Sequence, residues 1–211
     1  EMCIRDSRSG GHAVRFLTIL FFLTGLAFFT FELAFAKDWN QWGGSPHRNN
    51  VSAATNMPTE WEPGDFDYKT GQWQADTSKN IAWVAALGSQ SYGNPVVSNG
   101  KIFVGTNNGH GWIERYPADV DLGCLIAFDI TNGTFLWQDS SEKLPTGRVH
   151  DWPLQGICCS PLVEGDRLWY VTSRGEVKCL DTEGFHDGEN DGPFINETTD
   201  SKSEADVVWA V

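Results

Sequence analysis

Two adjacent thiols, Cys158 and Cys159, are the most reactive-looking feature of this sequence. They stand in GICCSPLVEGD, which reads as two small residues at the start of a strand, one buried and one paired or free. Cys124 and Cys179 add two more thiols, and a bridge from Cys124, Cys158 or Cys159 to Cys179 is a competing arrangement in an oxidising compartment. A second candidate is the loop DTEGFHDGENDG, Asp181 to Gly192. Asp187, Glu189 and Asp191, followed by Gly192, have the alternate spacing with which a calcium loop begins, because carboxylate oxygens at every second position converge on a hard cation. Thr198 stands where the closing bidentate glutamate belongs, with Glu197 beside it, and the same stretch also reads as a solvated acidic loop. His110, His150 and His186 fall in loops without metal-ligand spacing. No C-x-x-C pair, glycine-rich phosphate loop, nucleophile elbow or zinc-protease helix is present.

The elements that must carry these residues are short strands. Leu125 to Trp137, LIAFDITNGTFLW, runs from a strand-forming stretch into Asp129, turns at Asn132-Gly133 and returns to Trp137. Asn-Gly suits a two-residue type I′ turn, whose central residues both need positive φ. The parts of this hairpin recur. Ser160 to Gly175 aligns without a gap on Asn94 to Gly109, placing Pro161 on Pro95, Leu168 on Ile102 and Thr172 on Thr106. VKCLD, ending at Asp181, aligns on LIAFD, ending at Asp129, and ADVVWAV places Trp209 on Trp137. Asn80 to Leu87 (NIAWVAAL) reads as a leading strand that sets Trp83 in the same place one unit earlier. The repeat is therefore strand, strand, strand ending in Asp, Gly-containing turn, strand containing Trp. Four short antiparallel strands per repeat, with continuous apolar runs such as FVG and IAF, make a blade buried on both faces. The expected fold is all-β, a partial β-propeller of about two four-stranded blades plus a leading strand. In this reading Asp129, Gly133 and Asp181 are structural turn residues, and Trp83, Trp137 and Trp209 structural anchors.

Processing signals bound the domain. Phe16 to Phe31 is an apolar run preceded by basic residues and followed by Ala34-Phe35-Ala36, the pattern of a secretory signal peptide cleaved near Ala36. Residues 1–13 read as a non-native leader, 14–36 as the signal, 37–79 as an N-terminal leader and loop, and 80–211 as propeller blades truncated at the C-terminus. Within the leader, Trp39 to Ser52 is expected to be ordered by its two indoles. The expected location is periplasmic or extracellular, with membrane contact only during export. The formal charge of −13 resides in the mature part, because residues 1–36 carry equal numbers of acids and bases. That balance argues against nucleic-acid binding.

Leu125, Ala127, Asp129, Thr131, Gly133 and Trp137 are similar to the L-x-A-x-D-x-x-T-G-x-x-x-W repeat of PQQ-like (pyrroloquinoline quinone) propellers, with Asn132 set between Thr131 and Gly133. Trp39 to Ser52 and Gly147 to Gly184 also resemble secreted members. The resemblance implies that each Trp docks on the Gly-containing turn of the next blade, and that the remaining blades are partners in cis. It further implies a binding or scaffold domain of the cell envelope, whose partners are envelope proteins or a small-molecule ligand. The alternative it carries is a fragment of a quinoprotein alcohol or sugar dehydrogenase using PQQ and calcium. In such enzymes adjacent cysteines form a disulfide ring over the quinone, the role that Cys158 and Cys159 would then take.

Overall fold

The computed structural model describes residues 38–55 and 57–211. The leader 1–13, the signal peptide and the cleavage point near Ala36 lie outside them. The strands are β1 (Asp65–Phe66), β2 (Trp73–Gln74), β3 (Val96–Ser98), β4 (Lys101–Asn107), β5 (Leu122–Asp129), β6 (Phe135–Glu142), β7 (Leu162–Glu164), β8 (Arg167–Val171), β9 (Val177–Asp181) and β10 (Val207–Ala210). Helix is confined, among the described residues, to three 3₁₀ turns of three residues each. No helix there is long and apolar enough to cross a membrane. β1 and β2 form a small ribbon; β3-β4-β5-β6 and β7-β8-β9-β10 form two four-stranded antiparallel sheets, each with neighbours in chain order. The recurrence seen in the sequence is thus a recurrence of whole sheets.

Turn chemistry shows how the same dipeptide is used in two ways. Asn99 and Gly100 both have positive φ, 51° and 74°, and join Ser98 directly to its pairing partner Lys101. That is the two-residue type I′ geometry. Asn132-Gly133 was expected to do the same and does not. Gly133 has φ 71°, but Asn132 is not left-handed. Asp129 turns the chain instead: its Oδ1 accepts the Thr131 N–H at 2.7 Å, and its carbonyl accepts the Gly133 N–H at 2.9 Å. The longer loop needs one left-handed residue, and glycine supplies it.

Each sheet has two distinct faces, fixed by register. In the first, Val96, Phe103, Ala127 and Trp137 lie opposite one another across the four strands. In the second, Leu162, Trp169, Cys179 and Trp209 occupy the same four places. This is the tryptophan face. The opposite face of the second sheet carries Val163, Leu168, Leu180 and Val207. The tryptophan face of the first sheet packs on this opposite face of the second, and together they form one core. The stacking is head to tail. The opposite face of the first sheet is covered by Ala85, Leu87, Trp112 and Tyr116. The row Leu162, Trp169, Trp209 on the second sheet is only half-buried, whereas Val96, Phe103 and Trp137 are fully buried.

Three further stretches differ from the sequence expectation. Asn80 to Leu87 is not a strand. It has no neighbouring strand with which to form a ladder, yet it keeps a two-residue alternation, with Ile81, Trp83, Ala85 and Leu87 turned inward and Ala82, Val84 and Ala86 exposed. The 37–79 segment is not all loop, because Asp65–Phe66 pairs with Trp73–Gln74. In the leader, Trp39 pairs with Val97 and packs over Gly44, whereas Trp42 stays largely exposed with Arg48 over its ring at 5.0 Å. One indole, not two, orders that stretch.

Candidate functional site

A four-stranded meander has two edges at which loops gather. One collects the β4–β5 and β6–β7 connections and the β8–β9 turn; the other collects the two tight hairpins and the β5–β6 and β9–β10 connections. The chemistry divides between them.

At the first edge, Ile157 plugs a hollow over Gly105 and Gly123, where a Cβ at either position would come within 2.8 Å of its side chain. Its N–H donates to the Thr106 carbonyl at 3.1 Å. Gly93 lies so close to the Cys159 carbonyl that a side chain there would collide with it. These contacts fix Cys158 and Cys159 at the wall of a cleft of about 250 Å³, shared with His150, Asp151, Thr172 and Ser173. Cys158 is exposed and Cys159 half-buried, and both are free, as are Cys124 and Cys179. No bridge to Cys179 is formed. Burial raises both cysteine thiols above their ordinary pKa, more than the Lys143 charge lowers Cys158 and the Val171 N–H lowers Cys159. A thiol held protonated is a poor nucleophile. His150 and Asp151 do not form an acid–base pair. Asp151 is buried, bound to the Lys143 ammonium and the Leu144 N–H, while His150 Nδ1 lies 3.4 Å from Thr146 Oγ1.

At the second edge the repeat explains the site. Asp129 and Asp181 end equivalent strands, and each carboxylate accepts the N–H two residues on, Thr131 and Glu183 respectively. Both carboxylates cap the turn that follows their strand. Trp83 Nε1 donates to the Ile130 carbonyl at 2.8 Å, and a Cβ on Gly133 would collide with its ring. Trp137 Nε1 donates to the Thr182 carbonyl at 3.1 Å, and a Cβ on Gly184 would come within 2.8 Å of its ring. Each indole therefore seats on the residue after the strand-ending Asp of the following unit and on the glycine beyond it. Trp209 makes no such hydrogen bond and is half-buried.

The acidic loop behaves differently from its spacing. Asp187 Oδ1 accepts the Glu189 N–H at 3.0 Å, and Glu189 is exposed. Asp191 binds Arg167 Nη2 at 2.8 Å, and Arg167 Nη1 binds Asp181 at 2.5 Å. Asp187, Glu189 and Asp191 do not converge, and no three His, Cys, Asp or Glu side chains meet as a metal cage among the described residues. Burial lifts Asp181 to about 6 despite the Glu183 N–H and Arg167. Asp206 is lifted to about 6 by burial first, then by the carboxylates of Glu197, Asp191 and Asp187. Spacing had not singled out Arg167 or Asp206. The signal that finds Arg167 is register: a basic residue opens the second strand of each unit, Lys101 or Arg167, directly opposite the Asp that closes the third. His186 Nε2 lies 3.3 Å from the Leu136 carbonyl, and the His110 ring packs tilted against Trp112 with centroids 4.3 Å apart. Neither joins a cluster.

No family model matches the chain, and no curated protein matches it.

Proposed function

We propose that the chain is a PQQ-like repeat protein of the cell envelope, part of a β-propeller that serves as a binding or scaffold domain. The observation that carries this reading is the head-to-tail stacking. A tryptophan face packs on the opposite face of the next sheet, with an indole seated on that sheet's glycine turn, and it does so by a rule that Trp83, Trp137 and Trp209 share by position. Heterologous contacts of this kind continue until they close, and four-stranded units closing about an axis make a propeller. The open row Leu162, Trp169, Trp209 is then the seat of the next blade. Export rests on the apolar run before Ala36 and its A-x-A site.

The quinoprotein alternative draws on Cys158 and Cys159 sharing a cleft. The cleft of about 250 Å³ is below the usual ~300–1,000 Å³ of cofactor pockets. The His150 imidazole is the one ring among its lining residues, and no Trp, Tyr or Phe is there to stack on a quinone. The residues lining this cleft do not by themselves fit PQQ, so no catalytic step is assigned to them. The test is reconstitution. After incubation with PQQ and calcium chloride and gel filtration, the chain is expected to retain no quinone absorbance. Stoichiometric retention with alcohol-dependent dye reduction would replace the scaffold reading with the dehydrogenase.

A further inference from the structure

We propose that the β9–β10 connection binds a divalent cation of the calcium class, anchored by Asp206 Oδ1 and Glu197 Oε1, with Asp187 as a third ligand. The site lies at the edge away from the cysteine cleft and does not depend on which reading of that cleft holds.

Two carboxylate oxygens near the acidic loop are buried without partners. Asp206 is 1% exposed. Its Oδ2 accepts the Asp191 N–H at 2.8 Å, which aims the carboxylate at the acidic loop, while its Oδ1 is buried without a hydrogen-bond partner. Glu197 repeats the pattern. Its Oε2 accepts from Asn190 Nδ2 at 3.2 Å, and its Oε1 is buried and unpartnered. Burying a carboxylate oxygen without a partner is costly, and native structures keep such atoms where something else binds them. The local charge points to what that is. Asp187, Asp191 and Glu197 all act on Asp206, and each nearby cation is already engaged: Arg167 by Asp166, Asp181 and Asp191, Arg115 by Glu204, and Lys178 by Asp139. None of these bonds reaches Asp206 Oδ1 or Glu197 Oε1, which stay unneutralised. A hard cation taking carboxylate and water oxygens can neutralise them.

The ligand set differs from the one that spacing suggests. Asp191 belongs to Arg167, and Glu189 is exposed. Asp187 has one oxygen engaged by the Glu189 N–H and the other free to turn inward. The frame that receives it is tight: Gly192, with φ 79°, lies where a Cβ would come within 2.5 Å of Val208 Cγ1, so the loop is pinned to β10. As the side chains stand, no three ligands meet at one point among the described residues, so binding must draw the exposed Asp187 side chain inward.

Calorimetry and thermal melting of the intact chain, stripped with chelator and titrated with calcium chloride, test the site. The expected result is saturable binding in the range of about 0.1–1 mM found for extracellular calcium modules, with a rise in melting temperature that equal magnesium does not reproduce. Asp206→Asn and Glu197→Gln should each weaken binding on the order of tenfold or abolish it, because affinity follows ligand charge. Glu189→Gln should bind like the parent. Asp206→Asn keeps an acceptor for the Asp191 N–H, so its melting temperature in chelator should not fall; if it fails to fold, Glu197→Gln decides. The proposal is overturned by no heat and no shift up to about 10 mM calcium. It is also overturned by equal effects of magnesium, by parent-like binding in both ligand variants, or by loss of binding in Glu189→Gln.

Discussion

At the scale of single residues, the molecule depends on which glycine faces what. Gly175 and Gly184 both have positive φ, 83° and 55°, but nothing lies within 4 Å of a Cβ on Gly175, whereas one on Gly184 meets the Trp137 ring. Gly175→Ala should cost the left-handed backbone penalty alone, about 1–2 kcal/mol. Gly184→Ala should cost about 1–3 kcal/mol more, because the indole must move out of a packed core. Urea unfolding of the two variants compares them, and equal losses would mean that the indole is not seated on the turn. The Asn-Gly pairs make a second contrast. Asn99→Ala should cost about 1–2 kcal/mol for its left-handed backbone, beyond the lost bond from its Nδ2 to the Gly165 carbonyl. Asn132→Ala should cost about 1 kcal/mol or less, since it gives up only the Thr134 N–H. Residue preference could not tell the two pairs apart. The Asp129 carboxylate and the loop length make the choice, and neither is a property of Asn-Gly.

At the scale of elements, the two sheets are fastened by a buried polar group that spacing did not reveal. Asp139 on β6 accepts from the Tyr170 hydroxyl of β8 and from Lys178 Nζ of β9 at 2.9 Å. Tyr170 is fully buried, and burial together with the Asp139 charge holds its phenol well above the ordinary value. Lys178→Met should destabilise the chain by about 3–5 kcal/mol, because it leaves Asp139 buried without its cation. Adding Asp139→Asn should recover part of that loss, since it removes the uncompensated charge while its amide oxygen can still accept from the Tyr170 hydroxyl. Both are read from denaturant midpoints. The network was hidden because β6 continues past Trp137 through Gln138, Asp139 and Ser141, all buried and all polar. Residues 139–157 read as loop in the sequence, because a polar run carries no strand signal when, as for Asp139 and Ser141, its partners lie on another sheet. The opposite error occurred at Asn80 to Leu87, where apolar alternation is real but has no strand to pair with. The four-strand order, the strand-ending Asp and the Trp positions were legible, because they repeat. The acidic loop was legible as acidic, but its Asp191 is held at the carboxylate by Arg167 and at the backbone N–H by Asp206, both outside the loop in sequence.

At the scale of the whole molecule, one rule recurs: an indole seats on the glycine turn of the following unit. Trp137 obeys it inside a closed core, Trp83 obeys it from an extended segment, and Trp209 presents the same group on a half-open face. Trp137→Phe should therefore cost about 2–4 kcal/mol, through the lost volume and the orphaned Thr182 carbonyl. Trp209→Phe should stay within about 0.5 kcal/mol in this chain, as expected of a side chain without a completed contact. The most direct test is hydrogen exchange of the indole N–H groups, followed by proton–nitrogen correlation spectra of the ¹⁵N-tryptophan-labelled chain. The rule predicts slow exchange for Trp137, measurable protection for Trp83 and fast exchange for Trp209. Equal exchange at the three positions, or slowest exchange at Trp209, would contradict it.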